Sequence, residues 1–177
     1  MRRPIRENLV SLGNGSTSHL TAILFQKLTN VQMVHIPYRG TSPALQDIMG
    51  GNVDLFFDNL GSSLSLHQAK KLRILATGSK QRNPALPDVS TLQEAGVAAF
   101  ESTTWFAIVA PPRTPFPIIQ YLNQQITGVL MLPEVREQFA KIAVEPVGGS
   151  VAETAKFFAD EREKWRGVIK SANVTVE

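Results

Sequence analysis

Gly13-Asn14-Gly15-Ser16-Thr17-Ser18-His19-Leu20 is the stretch whose reading decides the fold. Leu9, Val10 and Leu12 lead into it, and an amphipathic segment over residues 20–28 leads out. The order is strand, glycine turn, helix start. The first backbone N–H groups of a helix have no partner within it, and the aligned peptide dipoles make that end partly positive. Glycine lets a backbone approach a ligand closely, and Ser16, Thr17 and Ser18 add hydroxyl donors. Such a turn suits a carboxylate or a phosphate without a fixed cationic side chain. Ser, Thr and Asn also begin many helices that bind nothing. The stretch therefore supports two readings, an anion cradle and a plain N-cap.

Working outward, strands alternate with helices. Residues 31–36 are rich in β-branched side chains and read as a strand. Residues 37–42 form a loop, and 43–49 a short helix with Ser42 as its N-cap and Pro43 in its first turn, where a missing N–H costs nothing. Gly50-Gly51 stops it. Residues 53–58 read as a strand, 62–71 as a helix and 72–77 as a further strand. This alternation implies a parallel sheet with right-handed crossovers, in which ligands sit beyond the carboxyl ends of the strands. The loops leaving those ends, over 13–18, 38–42 and 58–63, are rich in Gly, Ser, Thr or Asn. Turns of α/β proteins carry such residues in any case, so the weight lies in three polar loops sharing one rim.

The second half differs. Residues 79–98 form a long connection in which Pro84 and Pro87 block a helix and 91–96 give one short turn. Residues 103–110 are a long β-like run, ended sharply by Pro111-Pro112-Arg113-Thr114-Pro115, the candidate lobe boundary. Helices are expected over 116–131, 133–142 and 151–171, the last with Phe157, Phe158, Trp165, Val168 and Ile169 as its buried stripe. Residues 144–147 are an edge strand at most, because of Pro146. These helices need a sheet to cover, and the sequence hardly offers one there.

Bulk composition narrows the function classes. The chain has 177 residues, 43% of them hydrophobic, enough for a packed core in one large domain or two small lobes. The net charge of +3, from 18 basic and 15 acidic residues, is mild. Its only cluster, Arg2, Arg3 and Arg6, has no interleaved aromatic residues and reads as a solvated terminus. No nucleic-acid partner is expected. Zero cysteines exclude thiol catalysis, disulfides and cysteine-bearing zinc sites. The basic start is not followed by the apolar run of about 7–15 residues of a signal peptide, and no stretch approaches the ~20 apolar residues of a membrane span. The chain reads as soluble and without a visible export signal.

Catalytic patterns are sparse. HExxH, Gly-x-Ser-x-Gly, Walker and GxGxxG motifs are all missing, and nothing calls for a cofactor or metal. Asp54 and Asp58 lie four apart on the expected strand and so on one face, but an end cap and an exposed carboxylate account for them better than a dyad. His19 reads first as a hydrogen-bonded packing residue. Tyr38 and Trp105 have polar tips suited to a ligand, whereas Phe106 reads as core. Arg39 reads as solvated, with bidentate carboxylate pairing as the alternative.

The blocks Gly13 to Leu20, Val34-His35-Ile36-Pro37-Tyr38-Arg39-Gly40 and Gly51-Asn52-Val53-Asp54-Leu55-Phe56-Phe57-Asp58-Asn59 resemble the Bug receptors, extracytoplasmic solute-binding proteins of tripartite tricarboxylate transporters. The resemblance continues through Pro84-Ala85-Leu86-Pro87-Asp88-Val89, Glu94-Ala95-Gly96-Val97, Trp105-Phe106, Pro133-Glu134-Val135-Arg136 and Glu145-Pro146-Val147-Gly148-Gly149. It implies an α/β fold like the type II periplasmic binding proteins, with lobe two nearly complete over 9–104. The helical returning part of lobe one would occupy 105–177, and residues 1–8 fall outside the resemblance. It also implies a small organic acid or amino acid as ligand, membrane transporter subunits as partners, and a periplasmic location. Gly15, Ser16, Thr17 and His19 would belong to the first ligand loop, Tyr38, Gly40 and Thr41 to the second, and Asp58 and Asn59 to the third.

Full-length members are longer, with a signal peptide, the first strands of lobe one and a Pro-Gly-Gly loop ahead of a carboxylate-gripping Asp. This chain is therefore expected to be the carboxyl-terminal portion, with half the cleft absent and uncovered apolar faces that favour self-association. Two other readings stay open: a small α/β enzyme using Asp58 or His19 as its acid–base group on a carboxylated substrate, and a remnant that binds nothing.

Overall fold

The computed structural model describes residues 7–172 and 174. The cluster Arg2, Arg3 and Arg6 lies outside the described residues. The chain divides into two compact units, one within Met1–Thr104 and Gly167–Glu177, the other Trp105–Arg166.

The first unit is built on β1 (Asn8–Ser11), β2 (Val34–Pro37) and β3 (Leu55–Phe56), parallel and in the order β2-β1-β3. The register sets Val10 beside Ile36 and Phe56, and Leu9 beside His35. Successive strand residues face opposite sides. On one face Val10 packs with Ala44 and Val53, and with Ile36, Tyr38, Ile48 and Phe56 around them. Ala44 and Ile48 come from α2 (Thr41–Gly50). On the other face lie Leu9, Ser11 and His35, against α1 (Thr17–Thr29), whose His19 stacks on His35. Helix α3 (Leu60–Gln68) follows β3. Phe25 of α1, Phe57 and the fully buried Phe100 form an aromatic cluster at centroid distances of 5.5 to 6.5 Å.

Several sequence expectations are corrected here. Helix α2 begins at Thr41 with Gly40 as N-cap, not at Pro43 with Ser42: Ser42 is already helical, and Pro43 falls third in the helix, still in the first turn where its missing N–H costs no helical bond. The strand expected over 72–77 is reduced to one parallel bridge, Thr77 with Thr91. The Ile74 amide donates instead to His67 Nδ1 at 3.1 Å, which removes a ladder bond. The run 103–110 pairs with no strand among the described residues, and Phe106, expected in a core, is 85% exposed. Residues 144–147 form no strand either.

The second unit holds α4 (Phe116–Leu130), α5 (Pro133–Lys141) and most of α6 (Val151–Ser171), which runs on into the first unit. Ser150 and Glu153 close a capping box on α6: the Ser150 amide donates to Glu153 Oε2 at 2.7 Å and the Glu153 amide to Ser150 Oγ at 3.2 Å. Trp105 packs on Phe157 and Phe158, and Glu161 accepts from the indole N–H groups of Trp105 and Trp165 and from Lys164. Of the stripe expected on α6, only Val168 is buried, and Phe157 is 42% exposed. An amphipathic helix becomes buried only as far as its own unit supplies a surface to cover it. No helix among the described residues is long and apolar enough to cross a membrane.

Candidate functional site

Strand order 2-1-3 reverses direction at β1, and in open parallel sheets that reversal opens a crevice beyond the carboxyl ends of the strands. Ser11, Pro37 and Phe56 end their strands side by side. The topology thus brings the turns before α1, α2 and α3 to one rim, each delivering a helix N-terminus. None of these helices carries an acidic residue in its first turn, a feature shared with α4, whereas α5 and α6 carry Glu134 and Glu153 there. The positive ends of α1 and α2 carry no carboxylate of their own, whereas Asp58 lies against the first turn of α3.

The first turn is largely bonded to itself. Ser16 is the N-cap of α1, its hydroxyl donating to the Gly13 carbonyl at 2.7 Å and accepting from the His19 amide at 3.3 Å. The Gly15 amide donates to His19 Nδ1 at 3.1 Å and the Ser16 amide to the Gly13 carbonyl at 3.2 Å. Ser18 Oγ accepts from the Leu12 amide at 2.9 Å. Gly15, Ser16 and His19 therefore shape the turn. Thr17 differs: it is exposed and opens α1, where a backbone amide has no helical acceptor.

In the second loop the Tyr38 hydroxyl donates to Asp47 Oδ2 at 2.5 Å. That bond to a carboxylate raises the phenol's pKa and lowers that of Asp47. Gly40 caps α2 and Thr41 is its first residue. In the third, Asp58 Oδ2 accepts from the hydroxyls of Ser62 at 2.7 Å and Ser63 at 2.5 Å, while its buried Oδ1 has no hydrogen-bond partner among the described residues. Asn59 is the N-cap position of α3, and its Oδ1 accepts from Thr104 Oγ1 at 2.6 Å. Arg39 is exposed. Asp54 and Asp58 do not form a dyad: Asp54 accepts from the Asn8 amide at 2.8 Å, at the opposite end of the strand.

Sequence reasoning missed His35 as part of this region. Its ring stacks on His19 at 4.2 Å with planes 14° apart, and its Nε2 is hydrogen-bonded to Ser11 Oγ. Burial lowers the pKa of both histidines, and His19's charge lowers that of His35 further. Alternation sets His35 and Ile36 on opposite faces of β2, but only the register, Leu9 beside His35, shows that His35 lies on the face that α1 covers.

In open parallel sheets, small ligands bind in the crevice beyond the carboxyl ends of the strands. The sequence profile described as "Tripartite tricarboxylate transporter family receptor" matches residues 1–174, a span that takes in residues 1–8. The chain belongs to this family, one of receptors and not of enzymes. It is 36% identical over 163 residues to protein BugT of Bordetella pertussis, covering 92% of this chain and 50% of BugT. Among solved structures it is similar to R. palustris Rpa4515 with adipate, with TM-score 0.86 and 34% identity over 98% of this chain and 58% of that one. It is also similar to the periplasmic binding protein BugD, with TM-score 0.80 and 29% identity over 97% and 58%. The chain spans about half the length of most curated relatives it matches.

Proposed function

We propose that the chain contributes one wall of a binding site for a small carboxylate-bearing solute, presented to the membrane subunits of a tripartite transporter on the periplasmic side. The observation that carries this is the rim: helix starts gathered at one edge of a parallel sheet, with no acid in their first turns. The adipate held by a structural neighbour supports the ligand class. The contacts assigned to the solute are the amides at Thr17 and Thr41, with Gly40 allowing close approach. Asp58 and Asn59 border the third opening. Gly15, Ser16, His19 and Tyr38 hold the loops in shape.

Calorimetry against dicarboxylates, aromatic acids and amino acids tests the proposal, with adipate first. The expected result is heat with at least one acid; no heat with any of them sinks the proposal and favours a remnant. Thr17→Pro is the pointed variant. It deletes one rim amide at a helix position that tolerates proline, and Ser16 already has the extended backbone, φ −64° and ψ 160°, that a following proline requires. Affinity for the responding acid should fall about tenfold or more, the cost of one hydrogen bond to a charged group.

A second reading concerns assembly, and the apolar run over 103–110 favours it. Phe106, Ile108 and Val109 are 85, 76 and 71% exposed. Exposed apolar surface of this kind drives association in water. Sedimentation should show oligomers growing with concentration; a clean monomer at high concentration contradicts this second reading.

A further inference from the structure

His19 and His35 meet face to face and are tied to the turn 13–18 at both ends. On one side the Gly15 N–H points into His19 Nδ1 at 3.1 Å. On the other, His35 Nε2 bonds Ser11 Oγ, a fully buried residue whose hydroxyl oxygen also accepts the Gly13 amide at 3.1 Å. The path from Gly13 through Ser11, His35 and His19 to Gly15 is a closed loop of contacts around the base of the turn.

The proton inventory of this loop has one fixed entry. A backbone N–H only donates, so His19 Nδ1 must carry a lone pair for the Gly15 bond to exist. A proton on Nδ1 would set two N–H groups against each other. It would also place a cation against the second ring, and two imidazolium faces at 4.2 Å repel. No carboxylate compensates. Helix α1 has no acid in its first turn. On the neighbouring elements Asp54 is held by the Asn8 amide, Asp58 by Ser62 and Ser63, and Asp47 by Tyr38 on the opposite face of the sheet. Arg39, beyond β2, is exposed, and Glu7 lies at the far end of β1.

We infer that the stacked pair His19–His35 positions the turn 13–18 and releases it when His19 takes a proton, so that the solute rim is assembled only with neutral rings. The positioning of the turn stands on this geometry alone; its effect on solute capture rests on the function proposed above. His35 acts through His19 and Ser11 and is a positioning residue.

The test is an NMR titration of the isotope-labelled full chain without ligand, from about pH 8 to about pH 5, following both imidazoles and the Gly15 amide. The Gly15 shift should track the His19 titration, and its protection from hydrogen exchange should fall about five- to tenfold, the loss of one hydrogen bond. His19→Gln, whose side-chain carbonyl accepts but does not titrate, should make Gly15 protection independent of pH. His35→Phe keeps a stacking ring but removes the bond from Nε2 to Ser11, and Gly15 protection should then fall even where both rings are neutral. A Gly15 amide indifferent to the His19 titration in folded protein overturns the inference, as does an unchanged pH response in His19→Gln. Calorimetry with adipate at both ends of the pH range separates the two claims. Weaker binding at low pH in the parent but not in His19→Gln supports both. Silence at every pH beside an intact Gly15 response sinks the solute reading and leaves the positioning of the turn supported.

Discussion

Gly78 lies where two backbone segments touch. The Ser102 amide donates to the Gly78 carbonyl at 2.9 Å, and a Cβ built on Gly78 would stand 2.3 Å from the Ser102 carbonyl oxygen. The obstacle is backbone and cannot swing aside. Gly78→Ala should destabilise the first unit by about 1–3 kcal/mol, as overpacked sites do, read as a lower urea midpoint. Gly13, by contrast, has nothing within 4 Å of such a Cβ, but its φ of 102° makes a side chain strained there for conformational reasons. At this scale the sequence reveals residue type far better than role. The stretch 13–20 read as a helix start with a plain N-cap as one of its two readings, and Ser16 is that cap, a feature legible because capping is local. The pairing of His19 with His35 was hidden, since it needs the strand register before the two rings can be seen to face each other.

Among the elements, helices were far more legible than strands. A helix satisfies its own backbone, so periodicity and caps suffice: residues 151–171 read as a helix and form one, and the box of Ser150 and Glu153 is a local signal of its start. A strand is completed by a neighbour. Residues 72–77 and 103–110 have strand-like composition, yet the first is diverted by His67 and the second pairs with nothing among the described residues. The capping box of α6 carries a pH signature, as does a like pair in which the Thr91 amide donates to Glu94 Oε2 at 2.8 Å and the Glu94 amide to Thr91 Oγ1 at 3.1 Å. Glu153 is held below the ordinary glutamate range first by the Ser150 backbone amide, and Glu94 first by the Thr91 amide. A carboxylate depressed in the folded state stabilises above its unfolded pKa of 4.5, and that stability is lost as pH falls through the lower folded value. Acid titration followed by amide exchange should therefore fray the start of α6 only as pH falls below 4.5. Glu153→Gln, which keeps the shape but not the charge, should remove that pH dependence.

For the whole molecule, the two histidines add a second pH window. Their folded pKa values lie below 6.5, so the unfolded chain takes up protons first as pH drops. Stability should decline from about 6.5 down to the folded values and level off beneath them, a step that His19→Gln should shrink in thermal melts recorded against pH. The rim itself was legible as a set of polar loops because α/β topology fixes where loops go. The burial of the carboxyl-terminal helices was not, because hydrophobic spacing names the face to be covered without naming its cover.

The turn ahead of α1 is already cross-linked through the Ser16 hydroxyl, the Leu12 amide and the Ser11 hydroxyl. Under the proposed function, a solute arriving there meets a surface with little left to organise, so the encounter should proceed in one kinetic step. Stopped-flow traces would then be single exponentials whose observed rate climbs linearly with solute concentration, without the plateau that a slow rearrangement imposes.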